Sequence, residues 1–481
     1  MADMSPPGGE SREFDVIVVG AGPVGENVAD RAHRGGLSAA VVEAELVGGE
    51  CSYWACMPSK ALLRPGQALS EAADVAGARQ AVTGPLDADA VLARRDSFAS
   101  GWDDAGQVGW LDGAGIELLR GHGRLAGPRR VAVETASAPV LLEARQAVVI
   151  ATGSDAAVPP IPGLAEVEPW TSREATSAHE VPADLVVLGG GVVGCEMATA
   201  WSALGARVTV VEMADRLLPG HEPFAGDLLA RSLRDRGVDV RTGVRVESAE
   251  RGRSGRVRLR LADGSAVEGE EVLVATGRRP RTGDLGLDTV GLEPGGWLDV
   301  DDTMRVTGVA GGWLYAAGDV NHRSLLTHQG KYQARVCGDV IAARARGEEA
   351  AGPWSPHRAT ADHGAVPAVV FTTPEVASVG HTEASARDAG MDVRPVDYEM
   401  GKVAGASLFA DGYEGRARIV VDPAREVIVG ATFVGAGVAE LLHSATVAVV
   451  GEVPLSRLWH AVPSYPTISE VWLRLLEAYG L

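Results

Sequence analysis

The sequence is poor in cysteine, in positive charge and in long apolar runs. Four cysteines among 481 residues are too few for the disulfide framework of a small secreted domain. We therefore expect a cytoplasmic protein in which any disulfide serves chemistry rather than stability. No run reaches the roughly 18 apolar residues of a transmembrane helix. Residues 1–13 contain neither the basic nor the apolar segment of a secretory signal, and we predict a disordered tail there.

The shortage of positive charge limits the possible partners. The chain has 44 basic and 64 acidic residues, which gives a net charge of −20 at pH 7. Such a charge repels nucleic-acid phosphates and anionic membranes, so we expect neither as a partner. Glycine is abundant instead, with 61 residues, which indicates many tight turns or close backbone approaches. A composition of 46% hydrophobic and 22% charged residues is typical of a globular protein.

A glycine-rich turn follows the first predicted strand. The β-branched run 14–19 leads directly into GAGPVG at 20–25, and a helix is predicted over 26–34. A second strand, 38–43, ends in Glu43. A strand, a glycine turn, a helix and a strand that ends in an acid are typical of a βαβ unit that binds a dinucleotide.

The same order recurs about 170 residues later. The strand 184–188 is followed by GGGVVG at 189–194, by a helix that ends near Ala203, and by the strand 207–212 with Glu212 at its end. Glycines at these spacings permit the tight turn and let the backbone approach a pyrophosphate at the helix N-terminus. The predicted binding residues are Gly20, Gly22, Gly25 and Glu43 in the first unit, and Gly189, Gly191, Gly194 and Glu212 in the second.

Two such units predict two dinucleotides, most simply FAD and a nicotinamide nucleotide. We expect both acids, Glu43 and Glu212, to accept hydrogen bonds from adenosine ribose hydroxyls. A carboxylate at Glu212 would also repel a 2′-phosphate, which favours NAD(H) over NADP(H). Arg216 is near enough in sequence to weaken that preference.

The rest of the chain predicts an α/β protein with an internal duplication. Alternating apolar residues indicate a β-meander after each unit, and each meander ends in Ala-Thr-Gly, at 151–153 and 275–277. We predict two Rossmann-like dinucleotide-binding domains with β-meanders, followed by a C-terminal α+β domain. The predicted boundaries are a tail at 1–13, an FAD-binding domain in two parts at 14–155 and 286–352, an NAD(P)-binding domain at 156–285, and a last domain at 353–481.

Two cysteines lie five residues apart in CSYWACMPSK at 51–60. They can form a local disulfide at the start of a helix, where the helix dipole and Lys60 would both favour a thiolate and lower its pKa. A metal site would need further Cys or His residues nearby; there are none, so no metal site is predicted. The alternative is a structural pair of small buried residues. Cys195 and Cys337 are predicted to be such residues.

With these motifs, the chain from 14 to 481 resembles the pyridine nucleotide–disulfide oxidoreductase family. That family includes dihydrolipoamide dehydrogenase and the glutathione, mycothione and mercuric reductases. The resemblance rests on the first glycine motif, the Cys-x4-Cys-x-Pro-Ser-Lys block, both Ala-Thr-Gly segments, Ala-x-Gly-Asp at 316–319, and VPAVVFTTPEV at 366–376. It implies a homodimeric flavoprotein whose last domain is the dimerisation domain.

The resemblance also implies roles for individual residues. Cys56 would lie against the flavin, and Cys51 would exchange with the substrate. Lys60 and Glu196 would form an ion pair beside flavin N5, and Asp319 would bind the ribityl chain. Electrons would pass from NADH through FAD to the disulfide and on to a small-molecule disulfide. Further cofactor-binding positions implied in this way are Gly153, Gly277 and Gly318.

One position departs from the family pattern. Members normally carry a His-Pro-Thr segment, with a Glu five residues after the His, and this pair protonates the leaving thiol in the partner subunit's site. Here Glu470 is in register, but Tyr465 occupies the histidine position, and a tyrosine of pKa about 10 transfers protons poorly near neutrality. His460, five residues upstream, is a possible substitute. The aromatic Tyr53 and Trp54 between the cysteines, together with Tyr465, suggest a drier, narrower or simply different acceptor pocket.

Three functions therefore remain open. The first is a disulfide reductase similar to dihydrolipoamide dehydrogenase. The second is a family variant in which the missing histidine matters, such as a quinone or dye reductase or a reductase-carboxylase that traps a carbanion. The third is a non-enzymatic redox sensor whose cysteines report oxidation.

Overall fold

The structure is a computed structural model and describes residues 10–481. Strands and helices alternate through most of the chain, as the sequence predicts. The strands are β1 (Glu10–Val19), β2 (Ala39–Glu43), β3 (Glu117–Arg120), β4 (His122–Leu125), β5 (Arg130–Glu134), β6 (Val140–Ile150), β7 (Ser154–Ala156), β8 (Asp184–Leu188), β9 (Arg207–Val211), β10 (Asp239–Arg241), β11 (Val246–Arg251), β12 (Val257–Leu261), β13 (Ala266–Gly269), β14 (Glu271–Val274), β15 (Arg278–Pro280), β16 (Leu314–Ala316), β17 (Pro367–Val370), β18 (Glu375–Gly380), β19 (Arg394–Glu399), β20 (Arg416–Asp422) and β21 (Val427–Gly435).

The helices are distributed over the same length of chain. They are α1 (Pro23–Arg34), α2 (Gly49–Tyr53), α3 (Cys56–Ala73), α4 (Ala88–Phe98), α5 (Ala105–Gly113), α6 (Ser172–Ser177), α7 (Val192–Ala203), α8 (Pro223–Asp235), α9 (Thr327–Ala345), α10 (Glu383–Asp388), α11 (Ala404–Phe409), α12 (Val438–Val450), α13 (Leu455–Leu458) and α14 (Val471–Tyr479). Short 3₁₀ turns lie at Arg79–Ala81, Ser100–Trp102, Leu287–Val290, Asp319–Asn321, Thr360–His363, Met400–Lys402 and Ile468–Glu470.

The described chain divides into two compact units. The first contains the residues up to Met57 together with Asp96–Asp155 and Arg278–Asp362. The second contains Pro58–Arg95, Ala156–Gly277 and His363–Leu481. The two predicted parts of the FAD-binding domain thus contribute to one unit, although they are far apart in sequence.

The first unit is built on a mixed sheet. Strands β3, β2, β1 and β6 are parallel neighbours, and β16 lies parallel to the end of β6. The long strand β6 also pairs antiparallel with β5, which pairs with β4 to form the predicted meander. Helices α1 and α9 pack together in this unit so closely that a Cβ at Gly338 would lie 2.5 Å from the Cβ of Arg31. This arrangement is the predicted βαβ unit with its meander.

Strand β1 begins earlier than the sequence indicates. Backbone pairing with β6 starts at Glu10, opposite Val140, so the prediction of a disordered tail over 1–13 is wrong for 10–13. The remainder of that tail, 1–9, lies outside the described residues. Arg145 of β6 forms ion pairs with two residues of β1, from Nη1 to Glu13 Oε2 at 3.0 Å and from Nε to Asp15 Oδ1 at 2.7 Å. These ion pairs help to explain why a strand forms here without an apolar pattern.

The second unit contains the second predicted βαβ unit. Strands β10, β9, β8 and β14 form a parallel sheet, and β11, β12 and β13 form a separate antiparallel one. Residues 58–95 group with this unit rather than with the first dinucleotide-binding domain, where the sequence boundaries put them. The reason is apolar burial, because Leu62 of α3 and Leu92 of α4 share a core with Trp201 of α7.

The C-terminal part of the second unit is the predicted α+β domain. Its antiparallel sheet has the order β17, β18, β21, β20 and β19, and α12 and α14 contact it. Phe433, Leu441 and Leu475 belong to the core between sheet and helices. Among residues 10–481, no helix combines the length and the apolar composition that crossing a bilayer requires.

Candidate active site

The first glycine turn leaves room for a ligand at one of its three glycines. Gly20 has φ +103°, and a Cβ there would lie 2.5 Å from the carbonyl oxygen of Ala151. A Cβ at Gly25 would overlap the carbonyl oxygen of Gly20. Gly22, the N-cap of α1, has nothing within 4 Å of its Cβ position. The first and third glycines are therefore required by the chain's own packing, whereas Gly22 borders open space at a helix N-terminus, which suits a pyrophosphate.

The turn in the second unit repeats this pattern. Gly189 has φ +112°, and side chains at Gly189 or Gly194 would overlap backbone carbonyl oxygens. Gly191, the N-cap of α7, borders open space like its counterpart in the first unit. Gly277 has φ +145° and is also open at its Cβ position. The glycine turns of both units therefore fit the pyrophosphate of a dinucleotide.

Glu43 and Glu212 brace the two glycine turns. The backbone N–H of Ala21 donates to Glu43 Oε2 at 2.6 Å. The N–H groups of Gly190 and Ala214 donate to the two oxygens of Glu212 at 2.5 and 2.6 Å. Each carboxylate oxygen keeps further acceptor capacity, so the hydrogen bonds to ribose remain a prediction. Sequence reasoning missed the bracing role, which needs the folded turn.

Within the first unit, the carboxylate of Asp319 is held by a hydrogen bond from Ser154. Gly318 has φ +80° and precedes the 3₁₀ turn that begins at Asp319. Ser154 Oγ donates to Asp319 Oδ2 at 2.6 Å, and Arg278 Nε donates to Ser154 Oγ at 2.6 Å. Gly153 precedes Ser154 with φ +72° and an open Cβ position. The two Gly-containing segments named by the sequence thus meet, which fits a polar cofactor chain, while the ribityl contact itself stays a prediction.

The two cysteines of the CSYWACMPSK segment lie together. Cys51 is in α2, Cys56 is the first residue of α3, and both are thiols that share a hydrogen bond. Cys56 Sγ lies 3.1 Å from the hydroxyl of Thr327, the first residue of α9. The positive end of this 19-residue helix is therefore beside the sulfur. Sequence reasoning missed Thr327, which is 271 residues away from Cys56 in the chain.

The expected lowering of the cysteine pKa is wrong for Cys51. The hydrogen bond with Cys56 and burial raise the pKa of the Cys51 thiol, and Thr327 and Lys331 oppose this rise only in part. Two sulfurs in contact do not ionise together, because the second charge meets the first in a partly dry site. Cys51 therefore keeps its proton longer, which favours Cys56 as the sulfur that ionises first.

Tyr53, one of the two aromatic residues of the loop, lies in the core. Tyr53 is completely buried, and its hydroxyl donates to the carbonyl oxygen of Val47 at 3.0 Å. The indole N–H of Trp102 donates to the Tyr53 carbonyl oxygen at 3.1 Å, and the Trp54 ring meets the Tyr53 ring edge-on at 5.7 Å. Tyr53 thus anchors the cysteine loop to the core instead of narrowing an acceptor pocket.

Within the second unit, Lys60 and Glu196 form an ion pair. Lys60 Nζ lies 2.8 Å from Glu196 Oε2, and Glu196 is only 3% exposed. The other carboxylate oxygen accepts the backbone N–H of Phe371 at 3.0 Å, and Lys60 Nζ lies 4.9 Å from the Phe371 ring centroid. Phe371 belongs to the VPAVVFTTPEV segment at 366–376, which is one of the motifs that carry the family resemblance. The place of this pair beside a flavin stays a prediction.

Tyr465 and Glu470 are not paired within the described chain. Tyr465 is 78% exposed, whereas Glu470 is 7% exposed and its Oε2 accepts the backbone N–H of Gly405 at 3.2 Å. His460 is exposed, and its backbone N–H donates to the Arg457 carbonyl oxygen. Large apolar side chains are exposed in the same domain, namely those of Leu408, Phe409, Val447, Val450, Trp459, Val462 and Tyr465.

The remaining cysteines lie in apolar cores. Burial raises the pKa of the Cys195 and Cys337 thiols, so both stay protonated, as expected of small core residues. Within residues 10–481, no three His, Cys, Asp or Glu side chains are grouped so that they would hold a metal ion.

Comparison with known proteins decides the family. A sequence model described as pyridine nucleotide-disulphide oxidoreductase matches residues 14–336. The model of that family's dimerisation domain matches residues 366–475. The chain belongs to this family. The fold class predicted from the sequence is thereby confirmed, and the matched dimerisation domain supports a homodimer.

Relatives in the pyridine nucleotide–disulphide oxidoreductase family cover nearly the whole chain. A dihydrolipoyl dehydrogenase of Thermus scotoductus is 34% identical over 97% of each sequence. A mercuric reductase of Staphylococcus aureus is 29% identical and covers 95% of this chain and 81% of its own. The crystal structure of LpdA from Mycobacterium tuberculosis is 26% identical, with a TM-score of 0.82 over 97% of this chain and 100% of its own. The chain is thus an oxidoreductase of an FAD-dependent family that uses a pyridine nucleotide and acts on sulfur groups.

Proposed function

We propose that this enzyme passes electrons from NADH through FAD to the Cys51–Cys56 disulfide and on to a small-molecule disulfide, as a dihydrolipoyl dehydrogenase does. The observation that carries the proposal is the pair of thiols in mutual contact, with the Thr327 hydroxyl 3.1 Å from Cys56 Sγ. When bound, FAD supplies the two-electron relay between the nicotinamide and the disulfide. Gly22, Glu43 and Asp319 would hold it.

The cysteines have different parts in the exchange. A thiolate at Cys51 attacks one sulfur of the external disulfide, and the first thiol of the substrate leaves. A thiolate at Cys56 then attacks Cys51 in the mixed disulfide, which releases the second thiol and closes the Cys51–Cys56 bond. Two electrons leave the cysteine pair and two protons go to the leaving thiols. The hydroxyl of Thr327 and the N-terminus of α9 stabilise charge on Cys56, so Cys56 is the thiolate available for the second step. Cys51, whose thiol pKa is raised, gives up its proton for the first step, and that proton goes to the first leaving thiol.

The preference for NAD(H) over NADP(H) is part of the proposal. Glu212 is fixed by the N–H groups of Gly190 and Ala214, so its carboxylate cannot swing away from a 2′-phosphate without losing both hydrogen bonds. Arg216 donates from Nη2 to the carbonyl oxygen of Pro219 at 3.2 Å. That contact uses one of the five guanidinium N–H donors, and Nε has no hydrogen-bond partner among residues 10–481, so Arg216 still weakens this preference. We expect kcat/KM for NADH to exceed that for NADPH.

A second candidate function follows from Tyr465. The side chain is exposed and has no hydrogen bond to Glu470 among the described residues, so the family's proton donor for leaving thiols is lacking in this chain. A family variant that passes electrons to a quinone or dye, or that traps a carbanion as a reductase-carboxylase does, needs no such donor. In the proposed disulfide reductase, Tyr465 and Glu470 of one subunit would instead complete the other subunit's site.

An anaerobic titration with NADH, followed by a panel of acceptors, tests the proposal. One equivalent of NADH should produce long-wavelength charge-transfer absorbance and release two alkylatable thiols, and lipoamide or another low-molecular-weight disulfide should then be turned over. Cys51→Ser should retain FAD and lose disulfide turnover. Flavin reduction without new thiols, combined with rapid quinone turnover, would overturn the proposal in favour of the second candidate.

A further inference from the structure

A buried polar network lies beside the Gly318–Asp319 turn in the first unit. The side chains of Asn321, Gln329 and Gln333 are buried, and that of Asp362 is 1% exposed. Buried polar groups cost stability unless they are hydrogen-bonded, and a fully satisfied network fixes one local structure. Neither the glycine motifs nor the cysteine exchange uses these four residues.

Helix α9 approaches the turn closely and bonds to it through one side chain. A Cβ at Gly330 would lie 3.3 Å from the Cα of Gly318, so the two backbones are near each other. Gln333 follows three residues later on the same helix. The backbone N–H of Gly318 donates to Gln333 Oε1 at 2.9 Å, and Asn321 Nδ2 donates to the same oxygen at 2.9 Å. One side-chain oxygen therefore holds the residue that precedes Asp319.

The carboxylate of Asp362 determines which way the Gln333 amide points. Gln333 Nε2 donates to Asp362 Oδ2 at 3.0 Å, and Gln329 Nε2 donates to Asp362 Oδ1 at 2.6 Å. A carboxylate only accepts hydrogen bonds and a backbone N–H only donates them. Gln333 must therefore offer nitrogen to Asp362 and oxygen to Gly318. The reverse orientation would place acceptor against acceptor at one end and donor against donor at the other.

Hydrogen-bond donors surround the Asp362 carboxylate and favour its ionised form. Besides the two glutamines, Arg323 Nη1 lies 3.5 Å from Asp362 Oδ2. Burial raises the pKa of Asp362, and the donors Gln329, Arg323 and Gln333 oppose this rise. The group that orients Gln333 is therefore an acceptor held in place from three sides.

Asn321 is oriented in the same way at the other end of the turn. Its Nδ2 also donates to the carbonyl oxygen of Ala316 at 3.2 Å, and its Oδ1 accepts the backbone N–H of Arg323 at 3.0 Å. The carbonyl only accepts and the N–H only donates, so Asn321, like Gln333, has a single orientation that satisfies its neighbours. The segment from Gly318 to Asn321 is thus fixed at both ends.

We propose that Gln333, oriented by Asp362, is a positioning residue that fixes the Gly318–Asp319 turn for FAD binding. Gln333 acts through the backbone of Gly318, and Asp362 acts through the amide of Gln333. The inference rests on the proposed function only in that Asp319 belongs to the FAD site. It adds that the direction of one buried amide controls how firmly this site retains its cofactor.

Two glutamines of the same helix provide a matched test. Gln333→Met and Gln329→Met each remove one donor to Asp362, but only Gln333 also accepts from Gly318. FAD release from each holoenzyme is followed by flavin fluorescence, and exchange of the Gly318 amide is followed by mass spectrometry. Gln333→Met should speed FAD release about tenfold and speed the amide exchange, because a buried donor of the turn loses its acceptor. Gln329→Met should lower thermal stability and leave both rates unchanged.

A reversal of polarity tests the orientation separately from packing. Gln333→Glu nearly preserves the volume but sets two carboxylates against each other, so FAD release should become faster. Adding Asp362→Asn supplies an amide that donates to the carboxylate at position 333, whose other oxygen still accepts from Gly318. The double variant should therefore return toward the wild-type rate. Side chains that only fill space would show no such recovery.

Either of two results would overturn the proposal. Equal acceleration of FAD release by Gln333→Met and Gln329→Met would mean that the network only anchors α9. Absence of recovery in the variant with both Gln333→Glu and Asp362→Asn would mean that amide direction is unimportant, and this comparison decides if Gln333→Met does not fold. Glu375→Gln is a control in the second unit, where Glu375 accepts from Gln67 at 2.9 Å, and it should leave both rates unchanged.

These measurements are separate from those that test the proposed function. FAD release and amide exchange need no electron acceptor, so their outcome does not depend on which substrate the enzyme reduces. Absence of disulfide turnover alone would refute the proposed function and leave the role of Gln333 standing. Unchanged FAD release in Gln333→Met would refute that role even if disulfide turnover were found.

Discussion

The hydroxyl of Thr327 should stabilise the thiolate of Cys56 by an amount that can be measured. In the Thr327→Val variant the methyl groups preserve the side-chain volume, and the hydroxyl at 3.1 Å from Cys56 Sγ is lost. A hydrogen bond to a charged group contributes about 1.5–3 kcal/mol. Because the contact is only partly buried, we take the lower end, about 1.5 kcal/mol, which corresponds to roughly a tenfold smaller ionised fraction at a fixed pH. The N-terminus of α9 remains in place, so the change isolates the hydroxyl.

The assay uses a Cys51→Ser background, in which Cys56 is the remaining thiol of the pair. Thiolate formation is followed by ultraviolet absorbance and by alkylation over a pH series. Cys195 and Cys337 do not interfere, because burial raises the pKa of both thiols. Thr327→Ser keeps the hydroxyl and should behave like the parent. If the pH profile of Thr327→Val coincides with that of Thr327→Ser, the hydroxyl does not stabilise the thiolate and the reasoning is refuted.

Three further predictions concern the cofactor turn, the ion pair and the proton donor. Gly25→Ala would force a methyl group into the carbonyl oxygen of Gly20 and should prevent folding to soluble holoenzyme. Gly22→Ala meets open space, so this variant should fold but release FAD more readily. Equal FAD retention in the two variants would contradict the roles assigned to these glycines. Lys60→Met leaves the buried Glu196 carboxylate without its cation. Because the Lys60 side chain is 37% exposed, we expect a stability loss of about 1.5–3 kcal/mol, most of which Glu196→Gln should restore in the double variant. Additive losses in urea unfolding would show that the pair is not coupled. Tyr465→His should raise turnover of disulfide substrates near neutral pH and leave quinone turnover unchanged, and no rise would mean that proton donation does not limit this enzyme.

Local patterns predicted most of the fold correctly. The strand Asp184–Leu188 has the predicted bounds, because a β-branched run acts over a few residues. The start of β1 was missed because its first residues are polar and are held by pairing with β6, not by an apolar pattern. The sequence also did not show that Leu62 and Leu92 share a core with Trp201, because residues far apart in the chain can pack together without any local pattern.

The candidate site divides in the same way. The sequence was enough to identify the cysteine spacing, the glycine motifs and Lys60. Each belongs to a short segment whose backbone conformation is set mainly by its own residues. The direction of the Tyr53 side chain and the rise of the Cys51 pKa could not, because both depend on burial and on neighbours from other elements. Loop composition alone did not show that Tyr53 is buried and anchors the loop.

The amino-acid sequence by itself therefore determined two dinucleotide-binding units, a segment with two cysteines five residues apart and the unusual tyrosine at 465. Each is a feature of consecutive residues, whose hydrogen bonding and backbone freedom are set within one turn or strand. Only the tertiary structure brought Thr327 to Cys56, across 271 residues of chain. Charges and hydrogen bonds act over a few ångströms in space whatever the separation along the chain, and so the environment of the sulfurs was decided by helix packing.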